Sequence, residues 1–197
     1  MATTIQHAGL LIVLVGPSGV GKSTISRKLA EKMHLKYIIS ATTRKQNAKD
    51  DVGKIYDFVD EPTFFKKLEL GEFLEYAKVF DEYYGTPKRP TLDYLANGED
   101  VLLEIDVQGA LQVRFQYPDA LMIFIMPPDE TSLLQRLRER DRDTDEAIEK
   151  RYRGAKREIW MAKGSRAFDD MVINDSVDRA VDEIGRLIRQ KKSPNGL

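Results

Sequence analysis

The chain has 197 residues, enough for one well-buried core with small inserted subdomains but not comfortably for two independent domains. Its 31 basic and 32 acidic residues nearly cancel to a formal charge of −1, so no large field favours nucleic acid or an anionic membrane, and any anion binding must be local. The absence of cysteine excludes disulfides, a nucleophilic thiol and thiolate metal sites, and His7 and His34, far apart and expected to face solvent, do not suggest a zinc site.

The opening MATTIQHAG lacks the basic start of a secretory signal, and the apolar run at 10–15 is far too short to span a bilayer. A cytoplasmic protein is expected, with no nucleic-acid or membrane partner and with monomer and homodimer both open. The run reads as a buried strand. It leads directly into GPSGVGKS at 16–23 and then into a helical pattern at 24–33, where Ile25, Leu29 and Met33 share a face. Strand, glycine-rich loop and helix form the context a P-loop requires. Gly16, Gly19 and Gly21 allow a tight turn that brings successive N–H groups onto phosphate oxygens, with the positive end of the helix behind them. Lys22 adds a charge at the β- and γ-phosphates, and the Ser23 hydroxyl is the expected ligand of a magnesium ion. A bound nucleoside triphosphate is thus predicted from this segment alone.

A short strand is expected at 37–39. From about residue 40 to 89 the pattern mixes strand and helix and is rich in aromatics, among them Tyr56, Phe58, Phe73, Tyr76, Tyr83 and Tyr84. A small acceptor-binding subdomain would look like this. The run at 101–105 is a strand ending in Glu104 and Asp106, two residues apart and so on one side of the sheet, at the carboxyl end where ligands of open α/β sheets sit. Another strand at 121–126 is closed by Pro127 and Pro128. The stretch at 136–157 carries Arg136, Arg138, Arg140, Arg142, Arg151, Arg153 and Arg157 among many carboxylates. Alone, it reads as a solvated helix laced with ion pairs; beside a P-loop it can instead be a mobile lid that brings arginines onto the transferring phosphate. After a last strand at 171–173, Asp175 or Ser176 can cap a helix whose Val177, Ala180, Val181, Ile184, Leu187 and Ile188 make one apolar stripe. Residues 191–197 read as a frayed end. Short apolar runs alternating with helices predict an α/β fold, a parallel sheet covered on both faces.

Taken in order, GPSGVGKST, SATTR at 40–44, GEFLEYA at 71–77, YYGTP at 83–87, LLEIDVQGA at 102–110, IFIMPP at 123–128 and VIND at 172–175 resemble the guanylate kinase family over almost the whole chain. The resemblance implies a P-loop three-layer parallel sheet with an inserted small α+β nucleotide-binding subdomain and a helical lid. It divides the single domain into a core at about 1–36, 93–134 and 158–197, a GMP-binding insert at about 37–92, and a lid at about 135–157. It also implies the reaction ATP + GMP to ADP + GDP.

Position by position, the resemblance places ATP on Gly16, Pro17, Ser18, Gly19, Val20, Gly21, Lys22, Ser23 and Thr24, with Arg136, Asn174 and Asp175 near its base and phosphates. It has Glu75 accept from the guanine N1–H and exocyclic amine, with Ser40, Thr86 and Asp106 around the base. Arg44, Tyr56 and Tyr84 would hold the acceptor phosphate. Lys22, Arg44, Arg140 and Arg151 would stabilise the charge of the transferring phosphoryl group. No general base is needed, because the acceptor is already an anionic phosphate oxygen. Read without the resemblance, Tyr56 and Tyr84 are as easily half-buried aromatics and Glu75 a surface acid.

Two departures stand out. Asn47 occupies the place of a second phosphate-binding arginine, with Lys45 and Lys49 two residues to either side, and Glu139-Arg140-Asp141 replaces a glycine-flanked arginine in the lid. Two alternatives remain beside GMP phosphorylation: a kinase of another small phosphate ester such as a ribose bisphosphate, and a non-catalytic guanylate-kinase-like binding module. Retention of Glu75, Ser40 and Thr86 argues against the first, and the intact P-loop against the second.

Overall fold

In a computed structural model, which describes residues 8–46, 56–139 and 144–193, the expected alternation of strands and helices is present. Five parallel strands, β1 (Leu11–Val15), β2 (Lys36–Tyr37), β7 (Val101–Glu104), β8 (Leu121–Met126) and β9 (Asp170–Ile173), form a sheet in the order β2-β7-β1-β8-β9. Every residue of β1 is buried, as a central strand covered on both faces requires. Alternate residues feed two separate cores. Val13, Val15, Leu103, Met122 and Phe124 pack with Val107, Ala110 and Val113 of α4 (Val107–Gln116) and Ala162 of α6 (Asp145–Gly164). Ile12, Leu14, Leu102, Ile123 and Ile125 pack on the other face against Ile25 and Leu29 of α1 (Lys22–Met33) and Ala180, Val181, Ile184 and Ile188 of α7 (Val177–Lys192). The result is the expected three-layer α/β arrangement.

The order places β1 at the point where the chain departs to both sides, so the loop after it opens into the crevice at the carboxyl ends of the strands. The register Leu14↔Glu104 sets the end of β7 beside that loop.

A second, smaller sheet is built from β3 (Ala41–Thr42), β4 (Asp57–Phe58), β5 (Phe73–Val79) and β6 (Glu82–Pro87), in the order β4-β3-β6-β5, with β3 and β4 parallel and the other pairs antiparallel. One face rests on α2 (Glu61–Glu69), which starts at Asp60, whose carboxylate accepts from the Thr63 N–H at 2.9 Å. There Phe64 is fully buried and stacks on Phe73 with ring centroids 4.7 Å apart. The helix α3 (Lys88–Ala96) returns the chain to the core, and α5 (Glu130–Arg138) precedes α6.

Several boundaries differ from expectation. Helix α1 begins at Lys22, two residues early, because the left-handed Gly21 (φ 95°) is its N-cap. The second strand covers Lys36–Tyr37 rather than 37–39. Ser176 precedes α7 without a side-chain capping bond, and Asp175 pairs with Arg179 at 2.6 Å instead. Helix α6 runs unbroken to Gly164, so the expected lid boundary at 157 falls within it.

Candidate functional site

The glycine loop is held open by its neighbours. Gly19 (φ 86°) and Gly21 (φ 95°) adopt left-handed backbone, and a Cβ at Gly21 would lie 2.6 Å from Asn174 Nδ2. That amide belongs to the loop's support: Asn174, 2% exposed, donates to the Val20 carbonyl at 2.7 Å. Arg136, at the end of α5, donates to the Val20 carbonyl at 3.3 Å and to the Asn174 carbonyl at 3.0 Å. Of the residues expected around ATP, Arg136 and Asn174 therefore meet the loop, whereas the Asp175 side chain is turned into its pair with Arg179. Lys22 donates to the Gly16 carbonyl and, at 3.1 Å, to that of Pro17, which keeps its ammonium over the mouth of the loop.

Across the loop, Ser23 Oγ donates to Glu104 Oε1 at 2.7 Å, and the Tyr37 hydroxyl donates to Glu104 Oε2 at 2.7 Å. Burial and the Glu104 charge push the Tyr37 phenol far above its ordinary pKa, so it remains a donor. Ser23 with a carboxylate directly behind it is an all-oxygen set of the kind a hard cation takes. Among the described residues no cluster of three or more His, Cys, Asp or Glu offers a protein cage for a metal. A magnesium ion shared with phosphates and waters fits one hydroxyl backed by one acid.

Asp106 ends the same segment as the N-cap of α4, accepting from the N–H groups of Gln108 (2.6 Å) and Gly109 (3.3 Å). Burial raises its pKa; those two N–H groups and the Lys22 charge oppose the rise.

On the small sheet, register explains what the sequence left scattered. Glu75 of β5 pairs with Thr86 of β6, and a bulge between Phe73 and Glu75 turns the carboxylate away from the α2 face. Ala41 pairs with Gly85, which brings Ser40 beside Thr86. The result is a buried polar chain: Thr86 Oγ1 donates to Glu75 Oε1 at 2.5 Å, and Ser40 Oγ lies 3.3 Å from Thr86 Oγ1. Glu75 is 3% exposed, and its carboxylate lies against the first turn of α4, where a Cβ on Gly109 would come within 2.1 Å of Oε2. Burial pushes the Glu75 pKa up to about 7, against the Thr86 hydrogen bond and with the help of the Asp106 charge.

Farther along the same sheet, Arg44 lies over the rings of Tyr56 (5.7 Å) and Phe58 (5.2 Å), and the rings of Tyr56 and Tyr84 meet edge-on at 5.5 Å. Burial raises the Tyr84 pKa, offset by a Thr42 hydrogen bond and by the charges of Arg44 and Arg151. Two phenol donors and two guanidinium groups thus share one neighbourhood, suited to an oxygen-rich dianion. Arg140, Asn47 and Lys49 lie outside the described residues; Lys45 is exposed, and its carbonyl accepts from Arg44 at 3.3 Å.

One residue facing this site went unread in the sequence. Glu158 of α6 lines a cavity of ≈ 270 Å³ with Asp106, Gln108 and Arg157, and burial pushes its pKa up to about 7, opposed by the Lys22 charge and reinforced by that of Asp106. The signal was available: Arg151, Ala155, Glu158 and Ala162 recur at spacings of four, three and four, and a carboxylate within a stripe that buries Ala155 and Ala162 is out of place on a purely structural face.

The sequence profile of the guanylate kinase family matches residues 9–191. The chain is 46% identical over 191 residues to a guanylate kinase of Caldanaerobacter subterraneus, covering 96% of this chain and 91% of that one. It is 42% identical over 188 residues to a guanylate kinase of Thermus thermophilus, covering 95% and 84%. Its fold is similar to the crystal structure of guanylate kinase from Anaplasma phagocytophilum, with a TM-score of 0.76, 30% identity and coverage of 95% and 89%.

Proposed function

The chain belongs to the guanylate kinase family and catalyses ATP-dependent phosphorylation of GMP to GDP, and we propose that it does so through the two polar clusters of the small sheet and the loop after β1. The observation that carries this reading is the chain Ser40–Thr86–Glu75, a buried carboxylate with one oxygen satisfied internally. Such a group prefers a base that presents two adjacent donors, as guanine does with N1–H and its exocyclic amine and adenine does not. Asp106, the N-cap of α4 just after β7, faces the same space.

The acceptor phosphate would lie on Arg44, Tyr56 and Tyr84, with Arg151 approaching from α6. The triphosphate would lie along Gly16–Thr24, its charge met by Lys22 and the N-terminus of α1, with Arg136 and Asn174 bracing the loop. An acceptor phosphate oxygen attacks the γ-phosphorus; a new P–O bond forms as the bond to the bridging oxygen breaks, and that electron pair leaves with ADP. Ser23 would hold a magnesium ion with Glu104 behind it, and the chemistry this ion supplies when bound is charge neutralisation at the β- and γ-phosphate oxygens. The protein's own part is positioning, electrostatics and exclusion of water.

The division into a core, a GMP-binding insert and a lid completes the proposal. Among the described residues no helix is long and apolar enough to cross a membrane; a cytoplasmic location is our reading. The test is Glu75→Gln, which keeps the shape and removes the charge. Efficiency with GMP should fall about ten- to a hundredfold, as expected for a charge-assisted pair worth about 1.5–3 kcal/mol, with the KM for ATP unchanged. GMP efficiency within twofold of the parent would remove Glu75 from base recognition.

A further inference from the structure

The tip of the β5–β6 hairpin holds two non-glycine residues in left-handed backbone, Phe80 at φ 48° and Asp81 at φ 74°. Hairpins of this type draw such residues from Asn, Asp and Gly, so a phenylalanine there calls for a compensating contact. Helix α6 supplies it. A Cβ at Gly154 would lie 3.1 Å from Phe80 Cζ and 3.4 Å from Cε1, so the edge of the ring sits in the notch left by a glycine in mid-helix. One turn earlier, the Arg151 guanidinium lies 5.9 Å from the centroid of the same ring. Beside it, Lys150 Nζ is 3.1 Å from Asp81 Oδ2, a bond that holds the Asp81 carboxyl below its ordinary range. Phe80 and Gly154 also border the cavity that Asp106, Arg157 and Glu158 line.

From this geometry we infer that Phe80 is a positioning residue for phosphoryl transfer: seated in the Gly154 notch, its ring aims Arg151 at the acceptor phosphate. The inference rests on the reading of Arg151 as a phosphate ligand. The hairpin that carries Phe80 also carries Glu75, Tyr84 and Thr86, so the element proposed to receive the acceptor nucleotide is the one that steadies the arginine. Helix propensity alone would favour alanine over glycine at position 154, and the ring accounts for the missing side chain.

Steady-state kinetics with ATP and GMP on Phe80→Ala, Phe80→Tyr, Gly154→Ala, Arg151→Ala and the Phe80→Ala/Arg151→Ala pair test this. A cation–π contact at a partly exposed site corresponds to about a two- to fivefold effect, which should appear in kcat of Phe80→Ala with the KM for ATP unchanged. Phe80→Tyr adds a hydroxyl at the Cζ that already fills the Gly154 notch, so it should lower kcat as Gly154→Ala does, with the KM for ATP unchanged. Gly154→Ala should lower kcat while leaving the melting temperature unchanged or higher, a combination that lost structure would not produce. In the Arg151→Ala background, Phe80→Ala should change kcat by less than about 1.5-fold. If Arg151→Ala lowers kcat but Phe80→Ala does not, or if the two losses multiply, the positioning role is wrong while the phosphate-ligand reading stands. If Arg151→Ala leaves kcat intact, both fall.

Discussion

Gly109 is the position where one methyl group would most sharply test how the carboxylate proposed to read guanine is placed. A Cβ there would lie 2.1 Å from Glu75 Oε2 and 2.8 Å from its Cδ, whereas ordinary contact begins near 3.4 Å. The carboxylate of Gly109→Ala must therefore retreat by more than 1 Å. Its way is confined, because Glu75 is 3% exposed and tied to Thr86 at 2.5 Å. A displacement of that size costs about 100-fold when it falls on a group that must meet the substrate squarely, and one charge-assisted contact is worth about 1.5–3 kcal/mol. We expect kcat/KM for GMP to fall about ten- to a hundredfold. The KM for ATP should stay within twofold, since the loop at 16–24 is untouched. Alanine is the better helix former by up to about 1 kcal/mol, which offsets part of the strain, so the melting temperature should shift by no more than a few degrees. A coupled assay of ADP release with GMP and ATP varied separately, together with a thermal melt, measures all three. GMP efficiency within twofold of the parent would refute the reasoning, because it would mean that the carboxylate can leave its observed position at no cost to recognition.

The pH dependence follows from the same group. Burial places the Glu75 pKa at about 7, and the reading requires its ionised form, so the KM for GMP should rise as pH falls through 7, approaching tenfold per unit below it, while Glu75→Gln shows a shallower profile, with Glu158 and Asp106 still titrating nearby. The corresponding effect on stability has the opposite sense: a carboxyl whose folded pKa is raised contributes most below its unfolded value and loses that contribution as pH rises to 7. The melting temperature of Glu75→Gln relative to the parent should therefore climb between about pH 4.5 and 7. Asn174→Ala removes the buried 2.7 Å bond to the Val20 carbonyl and should cost about 1–2 kcal/mol, with a raised KM for ATP and an unchanged KM for GMP by the same coupled assay.

How much was legible in the sequence depended on whether the determinant was local. The β1–loop–α1 unit could be read directly because its apolar run, glycines and helical spacing lie within about two dozen consecutive residues. The apolar strands of the large sheet were legible for a similar reason: strands buried on both faces read as continuous hydrophobic runs. Register was not. That Glu75 faces Thr86 depends on a bulge at 73–75 and on pairings with residues ten and more positions away, and nothing in GEFLEYA announces either. The family resemblance nominated Ser40, Glu75 and Thr86; the geometry that joins them comes from β3, β5 and β6 meeting in one sheet. Ser23, Glu104 and Tyr37 form a triad from three separate segments, of which the sequence suggested only the first two members, each for its own reason. Glu158 and Phe80 went unread because their surroundings are made by α6 crossing a hairpin some seventy residues away in the chain.

The central claim is that the buried Ser40–Thr86–Glu75 chain selects guanine. Its most direct test is ADP release by the unmodified protein with ATP and either GMP, AMP or a ribose phosphate as acceptor. A site that leaves buried polar groups unpaired with the wrong base can reach discriminations of about 10⁴; the account predicts rapid turnover with GMP and a kcat/KM lower by several orders of magnitude with AMP and with the ribose phosphate. Comparable turnover of GMP and either competitor would contradict it.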